Sequence, residues 1–210
     1  MKNVFMIFAL CVLFAGTASA QGFGVRGGIN GACLAGEDYD EFTDTRAGGH
    51  IGVSYDISIS KRLPFYIETG LYYTFKGGEE EEDRRHGAEW TSTATLSYLE
   101  IPVVLSYHIP IGRRKIWTIE PSIGGYYAYG VGGEFKDKSD FENTKVDAFG
   151  DKGILNRSDA GFRIGVGAKL KHHLYFGLNY DAGLVNVAKD NNGDYECYTF
   201  NCYFTAGYNF

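Results

Sequence analysis

The chain has 210 residues and a formal net charge of −6, and it is rich in glycine and aromatic residues (29 Gly, 16 Tyr, 15 Phe) but poor in proline (4). This length corresponds to one domain, and the acidic balance, without a basic stripe interleaved with aromatics, argues against a nucleic-acid partner. The abundance of aromatic residues favours an all-β protein.

The amino terminus has the pattern of a secretory signal peptide. Lys2 precedes a short apolar run, and small residues follow at Ala18-Ser19-Ala20, which is an A-x-A cleavage site. The run is too short to span a bilayer as a helix, which needs about 20 apolar residues. We therefore predict cleavage after Ala20, with residues 1–20 as signal peptide and residues 21–210 as one β-barrel domain.

Beyond the signal peptide, apolar residues alternate with polar or small ones, which is the period of a β-strand with one apolar face. Most of these segments have the roughly 9 to 11 residues that a tilted membrane strand needs. The eight predicted strands are, in chain order, Phe23 to Cys33, His50 to Ile59, Phe65 to Lys76, about Leu96 to His108, Trp117 to Tyr129, Phe162 to Leu170, Leu174 to Asp181, and Tyr198 to Phe210.

The predicted connections are short at one end of the strands and long at the other. The short turns are basic and the long loops hold most of the carboxylates. Short turns on one side and long external loops on the other are typical of outer-membrane barrels. The pattern therefore predicts an eight-stranded antiparallel up-and-down transmembrane β-barrel. The long connections are about 34–46, 77–95, 130–159 and 186–197.

Alternation alone does not decide which face points outward. A soluble lipocalin-like binder has the same alternation, but its apolar face lines the interior of the barrel and its polar face is outside. Besides the alternation of short and long connections, two features favour the membrane orientation. The polar face is rich in glycine, which suits a tightly filled interior, and aromatic residues gather near strand ends, as at Trp117 and Phe210, like interfacial girdles.

The segment Tyr98-Leu99-Glu100-Ile101-Pro102-Val103-Val104-Leu105 resembles the fourth-strand motif of the PorT-like family of outer-membrane β-barrel proteins. This family is similar in architecture to small eight-stranded OmpA/OmpX-type barrels. Residues 120–126 and 176–184 are similar to its next and penultimate strands. The resemblance implies an accessory part in secretion. Since proline cannot donate a ladder hydrogen bond, we expect local bulges at Pro102 and Pro121.

An eight-stranded barrel is just wide enough inside for its own side chains. Charged residues on the polar face must then pair with one another, because an unpaired buried charge costs several kcal/mol. We predict an interior polar network that fills the lumen, with a narrow porin-like channel as the alternative. Its members are Arg26, Asp56, Glu68, Lys76, Glu100, Glu120, Arg163, Lys169 and Asp181.

We predict no catalytic residues, no cofactor and no metal, and hence not an enzyme. The alternative is a lipid-modifying enzyme with a Ser/His/acid set facing lipid at the outer rim. Only His50 and His86 fall on that side, whereas Ser106 and His108 fall at the short-turn end and face inward. The acids Glu79 to Asp83 are a candidate for divalent cations shared with lipopolysaccharide phosphates, although such runs are usually solvated loop.

Three cysteines follow the signal peptide, and an oxidising compartment favours one disulfide. If Phe23 lies near Phe210 where the barrel closes, Cys33 falls opposite positions 200 to 202, and both Cys33 and Cys202 share the outward face. We predict a Cys33–Cys202 disulfide, with Cys197–Cys202 as the local alternative.

Together these features predict a protein of the cell outer membrane that acts in envelope structure or surface interaction. The expected partners are outer-membrane lipid and lipopolysaccharide, the barrel assembly machinery that reads the carboxy-terminal strand, and a surface or secretion partner bound through the long loops.

Overall fold

The computed structural model describes residues 22–36, 45–60, 62–82, 90–112, 114, 116–138, 143–150, 153–171, 173–189 and 196–210. The predicted signal peptide and His86 lie outside these residues. Within the described ranges, no helix is long and apolar enough to cross a bilayer.

The structure consists of antiparallel strands that close into a ring. The strand order is β4-β3-β2-β1-β10-β9-β8-β6, and β6 pairs back with β4. The predicted eight-stranded up-and-down barrel is thereby confirmed. The short β5 continues β4 after a break, and β7 adds to the outer edge of β6. The strands are β1 (Phe23–Ala35), β2 (Arg46–Ser58), β3 (Phe65–Glu82), β4 (Trp90–Tyr107), β5 (Ile109–Ile111), β6 (Trp117–Lys138), β7 (Asn143–Asp147), β8 (Ser158–Leu170), β9 (Leu174–Gly183) and β10 (Tyr198–Asn209).

The apolar side chains lie on the outer surface of the barrel and the charged ones lie inside. Ile29, Ile51 and Ile123 are each more than 60% exposed, as expected for the apolar outer face of a membrane barrel. The inside-out alternative, a lipocalin-like barrel with an apolar cavity, is therefore wrong.

The barrel closes between β1 and β10 in the predicted register. Gly24 pairs with Asn209, and the rings of Phe23 and Phe210 lie 5.8 Å apart between centroids. Both termini of the described barrel thus lie at the end that carries the short turns, which we call the short-turn end. The opposite end is the long-loop end.

The predicted bulges at Pro102 and Pro121 are wrong. The β3–β4 ladder is interrupted beside Pro102, and the β4–β6 ladder beside Pro121, but the register continues unchanged across both. Each proline removes the hydrogen bond to one neighbouring strand only, so no residue needs to be inserted. The register shift lies instead between Ser97 and Tyr98, where β6 accommodates the extra residue Val131.

Three strands continue well beyond the predicted ends at the long-loop end. β3 and β4 stay paired as far as Glu82 and Trp90, and β6 pairs with β4 as far as Lys138. Together with β7 they form a four-stranded sheet, made of residues 77–82, 90–97, 131–138 and 143–147, which we call the platform. The segments predicted as loops at 77–95 and 130–159 are therefore largely strands, and the acids Glu79 to Glu82 lie within β3.

Candidate functional site: the barrel lumen

The lumen near the short-turn end holds a group of ion pairs that we call the lower cluster: Arg26, Asp56, Glu68, Glu120 and Lys169. Arg26 pairs with Glu68, and Lys169 Nζ lies 2.6 Å from Asp56 Oδ2 and 3.0 Å from Glu120 Oε2. Five strands contribute one member each, because each of these residues occupies an inward position of the alternation. The cluster bridges the lumen from wall to wall.

A second group, the upper cluster, fills the lumen towards the long loops. Its members are Lys76, Glu100, Asp159, Arg163 and Asp181. Arg163 contacts Glu100 and donates to Asp181 from both Nε and Nη2, at 2.5 and 2.6 Å. The hydroxyl of Tyr203 donates towards Glu100 and Asp181 at 3.0 Å.

The structure thus brings all nine of the predicted polar residues into the interior and sorts them into two layers. Eight of them are buried, and the Glu68 side chain is 13% exposed. Between the layers lies a cavity of about 20 Å³, lined among others by Arg26, His50 and Tyr72. This is room for about one water molecule, so the lumen is filled by protein.

Sequence reasoning missed Asp159, which is fully buried and lies 3.0 Å from Lys76 Nζ. The predicted sixth strand began at Phe162, so Asp159 was assigned to a loop. Extending the alternation backwards from Arg163 through Gly161 places Asp159 on the inward face. This two-residue alternation is the sequence pattern from which Asp159 could have been predicted.

Tyrosine rings fill the lumen where inward positions are glycine. A Cβ atom at Gly167 would lie 2.6 Å from Tyr175 Cε2, and one at Gly52 would lie 2.7 Å from Tyr72 Cδ1. The guanidinium of Arg26 covers the Tyr175 ring at 3.7 Å from its centroid. These glycines allow the tyrosines to lie flat against the wall, which accounts for the glycine-rich polar face.

An apolar cluster closes the lumen at the long-loop end, and we call it the apolar cap. Two loop segments contribute to it and are joined where Asn156 N donates to Val187 O at 2.8 Å. Within the second of them, Val187 N donates to Cys197 O, also at 2.8 Å. Burial in this cluster raises the pKa of the Cys197 thiol to about 12. The cap comprises Leu34, Ala94, Leu96, Tyr98, Tyr126, Ala128, Phe135, Ala148, Phe149, Leu155, Val187, Ala188 and Cys197.

Ser106, His108 and Glu120 form a row with the residue types of a hydrolytic triad. Ser106 Oγ lies 3.2 Å from His108 Nε2, and His108 Nδ1 lies 3.3 Å from Glu120 Oε1. However, Ser106 is 1% exposed, and the contact between His108 and Glu120 lacks hydrogen-bond geometry. A catalytic nucleophile must reach its substrate, and its base must be oriented by a hydrogen bond. Ser106 does not meet the first condition and His108 does not meet the second.

Of the two histidines predicted on the outer side, only His50 lies within the described residues. His50 points into the lumen and its Nε2 lies 2.9 Å from Thr205 Oγ1. Within the described part of the chain, no three His, Cys, Asp or Glu side chains are placed to share a metal ion. Asp83 and His86 lie outside the described residues.

The cysteines Cys33, Cys197 and Cys202 are free thiols in the structure. Cys33 lies directly opposite Phe200, and Cys202 opposite Gly31, so Cys33 and Cys202 are diagonal neighbours across the β1–β10 seam. Diagonal positions lie about 7–8 Å apart, slightly beyond the Cα separation of about 4.4–6.8 Å that a disulfide usually spans, so the bond needs a small backbone movement. The Cys33–Cys202 disulfide stays a prediction, and non-reducing mass mapping tests it.

Three of the solved structures similar to this chain are bacterial proteins. Ail, the attachment invasion locus protein of Yersinia pestis, is 13% identical with a TM-score of 0.45, over 90% of this chain and 99% of Ail. Neisserial surface protein A is 8% identical with a TM-score of 0.42, over 90% and 98%. A major outer membrane protein from Thermus thermophilus is 14% identical with a TM-score of 0.43, over 89% and 99%.

No curated protein matches the chain in sequence. A family model described as "Outer membrane protein beta-barrel domain" matches residues 18–189, which is most of the chain. The match agrees with the closed barrel, its apolar outer surface and its charged lumen. The chain belongs to the outer membrane protein beta-barrel domain family.

Proposed function

We propose that this outer-membrane barrel is a non-conducting anchor that holds the platform outside the cell for interaction with another molecule. The observation that carries the proposal is the double closure of the lumen, by two layers of ion pairs and by the apolar cap. A barrel closed in this way offers solutes no path, so its activity belongs to its surfaces. The proposal includes removal of the signal peptide after Ala20 and orientation of the long loops towards the outside.

The platform is the surface best suited to this role. It projects beyond the barrel on strands that are continuous with the barrel wall, so their backbone pairing attaches it to the barrel. In the described residues β7 pairs with β6 alone, so its other edge presents unpaired backbone groups. Such an edge can bind an extended segment of another protein. Lys145, Val146 and Asp147 on this strand are all exposed.

Photo-crosslinking in intact cells tests the proposal. A photoreactive residue is placed at Lys136 or Lys145 on the platform and, as matched controls, at Ile123 or Leu178 on the membrane-facing surface. We expect a discrete crosslinked partner from the platform positions that the control positions do not give. Equal products from both sets, or none from the platform, would contradict the proposal.

A shortened variant separates the platform from the barrel. Gly78 and Ala94 are paired across the β3–β4 hairpin, so replacing residues 79–93 with Asn-Gly closes the hairpin with a two-residue turn. We expect this variant to keep the heat-dependent gel shift of a folded barrel and to lose the crosslinked partner. Retention of the partner would place the interaction elsewhere.

The resemblance to the PorT-like family supports a second candidate, an accessory part in secretion. Its support is the segment Tyr98 to Leu105, whose Glu100 lies in the upper cluster. A strain that lacks the protein should then lose a set of secreted proteins and regain it with the full chain. We propose that the protein is not an enzyme under either candidate, since Ser106 is buried and His50 faces the lumen.

A further inference from the structure

The short-turn end of the barrel is open, in contrast to the capped long-loop end. A vestibule of about 860 Å³ enters the lumen there and ends on the lower cluster. Its lining includes Asp56, Glu120 and Lys169 from that cluster, and Tyr66, His108 and Asn209 around them. The rings of Tyr66 and His108 stack at 3.9 Å between centroids and form part of the wall.

Two residues in the inner part of the vestibule, Asn209 and Glu120, have an acceptor atom that receives no hydrogen bond from the described residues. Asn209 is 5% exposed. Among the described residues, no group donates a hydrogen bond to the Oδ1 atom of Asn209. Glu120 is 2% exposed and lies 3.0 Å from Lys169 Nζ through its Oε2, whereas its Oε1, 3.3 Å from His108 Nδ1, receives no hydrogen bond within that part of the chain. A buried acceptor left unsatisfied is unfavourable, so both atoms favour a ligand that brings donors.

The charges at this end also favour a cationic ligand, and they favour acidic groups on either side of the cation. The lower cluster contains three carboxylates, Asp56, Glu68 and Glu120, against two cations, Arg26 and Lys169. It therefore holds one more carboxyl group than basic groups. The surrounding turns present the opposite sign, since Arg62, Arg114 and Lys171 are exposed at this end.

We propose that the vestibule binds a peptide segment of a partner protein in which an ammonium group is flanked by carboxylates. The ammonium group enters the vestibule and donates to Glu120 and Asn209, while the flanking carboxylates meet the basic turns. Hydrogen bonds between charged groups are about twice as strong as neutral ones, which suits an ammonium donor on Glu120. This site lies at the opposite end of the barrel from the platform and does not depend on the function proposed for it.

Binding of short peptides to the purified full-length protein in lipid nanodiscs tests the proposal. The probe is acetyl-Glu-Lys-Glu-amide, and its controls are Glu-Leu-Glu, which lacks the cation, and Gln-Lys-Gln, which lacks the flanking acids. We expect the probe to bind at least tenfold more tightly than either control. Equal binding of Glu-Leu-Glu would overturn the proposal.

Two variants locate the binding. Glu120→Gln and Asn209→Ala should each weaken probe binding about tenfold, whereas Glu134→Gln, on the distant platform, should leave it unchanged. Asn209→Ala leaves every ion pair intact, so it remains informative if Glu120→Gln does not fold. Unchanged affinity in Asn209→Ala and in folded Glu120→Gln would show that solvent alone satisfies these acceptors and would refute the proposal.

Discussion

Lys76 and Asp159 form an ion pair inside the barrel, with Nζ 3.0 Å from Oδ2 and neither side chain more than 1% exposed. Lys76 comes from β3 and Asp159 from β8, which are not neighbours in the ring. The pair therefore links distant parts of the wall through the lumen. Tyr126 and Thr199 hydroxyls also lie within hydrogen-bonding distance of Asp159.

We predict that Lys76→Met strongly destabilises the barrel. The change leaves Asp159 without its cation. It also removes one of the two cations that contact Glu100, so that only Arg163 remains. Breaking a buried pair from one side typically costs about 3–5 kcal/mol. Urea unfolding of the refolded barrel in lipid vesicles, followed by the loss of the heat-dependent gel shift, measures this change.

Lys136→Met is the matched control for that substitution. Lys136 also pairs with a carboxylate, Glu134, but both groups are substantially exposed on the platform. Exposed pairs contribute little to stability, so we expect almost no change in the unfolding midpoint. A similar loss in both variants would mean that burial does not govern the strength of these pairs.

A second prediction concerns conduction. The upper cluster and the apolar cap both block the lumen, and the cavity between the charged layers is only about 20 Å³. Purified protein in planar bilayers should therefore show no steady openings over the usual voltage range, while a general porin inserted under the same conditions does. Steady, voltage-reproducible openings would contradict the filled lumen.

The alternation of apolar and polar residues predicted the barrel wall, because a period of two against lipid fixes which side chains face inward. The closing register needed the further assumption that Phe23 lies near Phe210, which the pairing of Gly24 with Asn209 bears out. The alternation could not predict the platform, because residues 77–82, 90–95 and 143–147 show no regular apolar stripe in the sequence. The apolar cap was missed for a different reason. Its contacts, such as the bridge between Leu155 and Ala188, join loop segments that have no periodic signal.

The row Ser106–His108–Glu120 gives a third prediction. Because Ser106 is buried and Glu120 does not orient His108 through a hydrogen bond, Ser106 should not act as a nucleophile. A fluorophosphonate probe that labels active serine hydrolases should leave the folded protein unmodified, as read by intact mass. Labelling that disappears in Ser106→Ala would show that the serine is accessible and activated.

The final prediction tests how tightly the tyrosine layer fills the lumen. Tyr175 lies between the Arg26 guanidinium, 3.7 Å from its ring centroid, and the backbone of Gly167. A methyl group at Gly167 would come within 2.6 Å of the ring, and Arg26 prevents the ring from moving away because it is itself paired with Glu68. Overpacking of this kind costs about 1–3 kcal/mol.

Gly167→Ala should therefore lower the urea midpoint of the barrel, and Gly132→Ala supplies the matched control. A Cβ atom at Gly132, in the platform part of β6, has nothing within 4 Å among the described residues. Alanine there adds no clash and removes the conformational freedom of glycine from the unfolded chain, so its midpoint should stay the same or rise slightly. If both substitutions behaved alike, the Tyr175 ring would have room to shift, and the lumen would be more loosely packed than its contacts indicate.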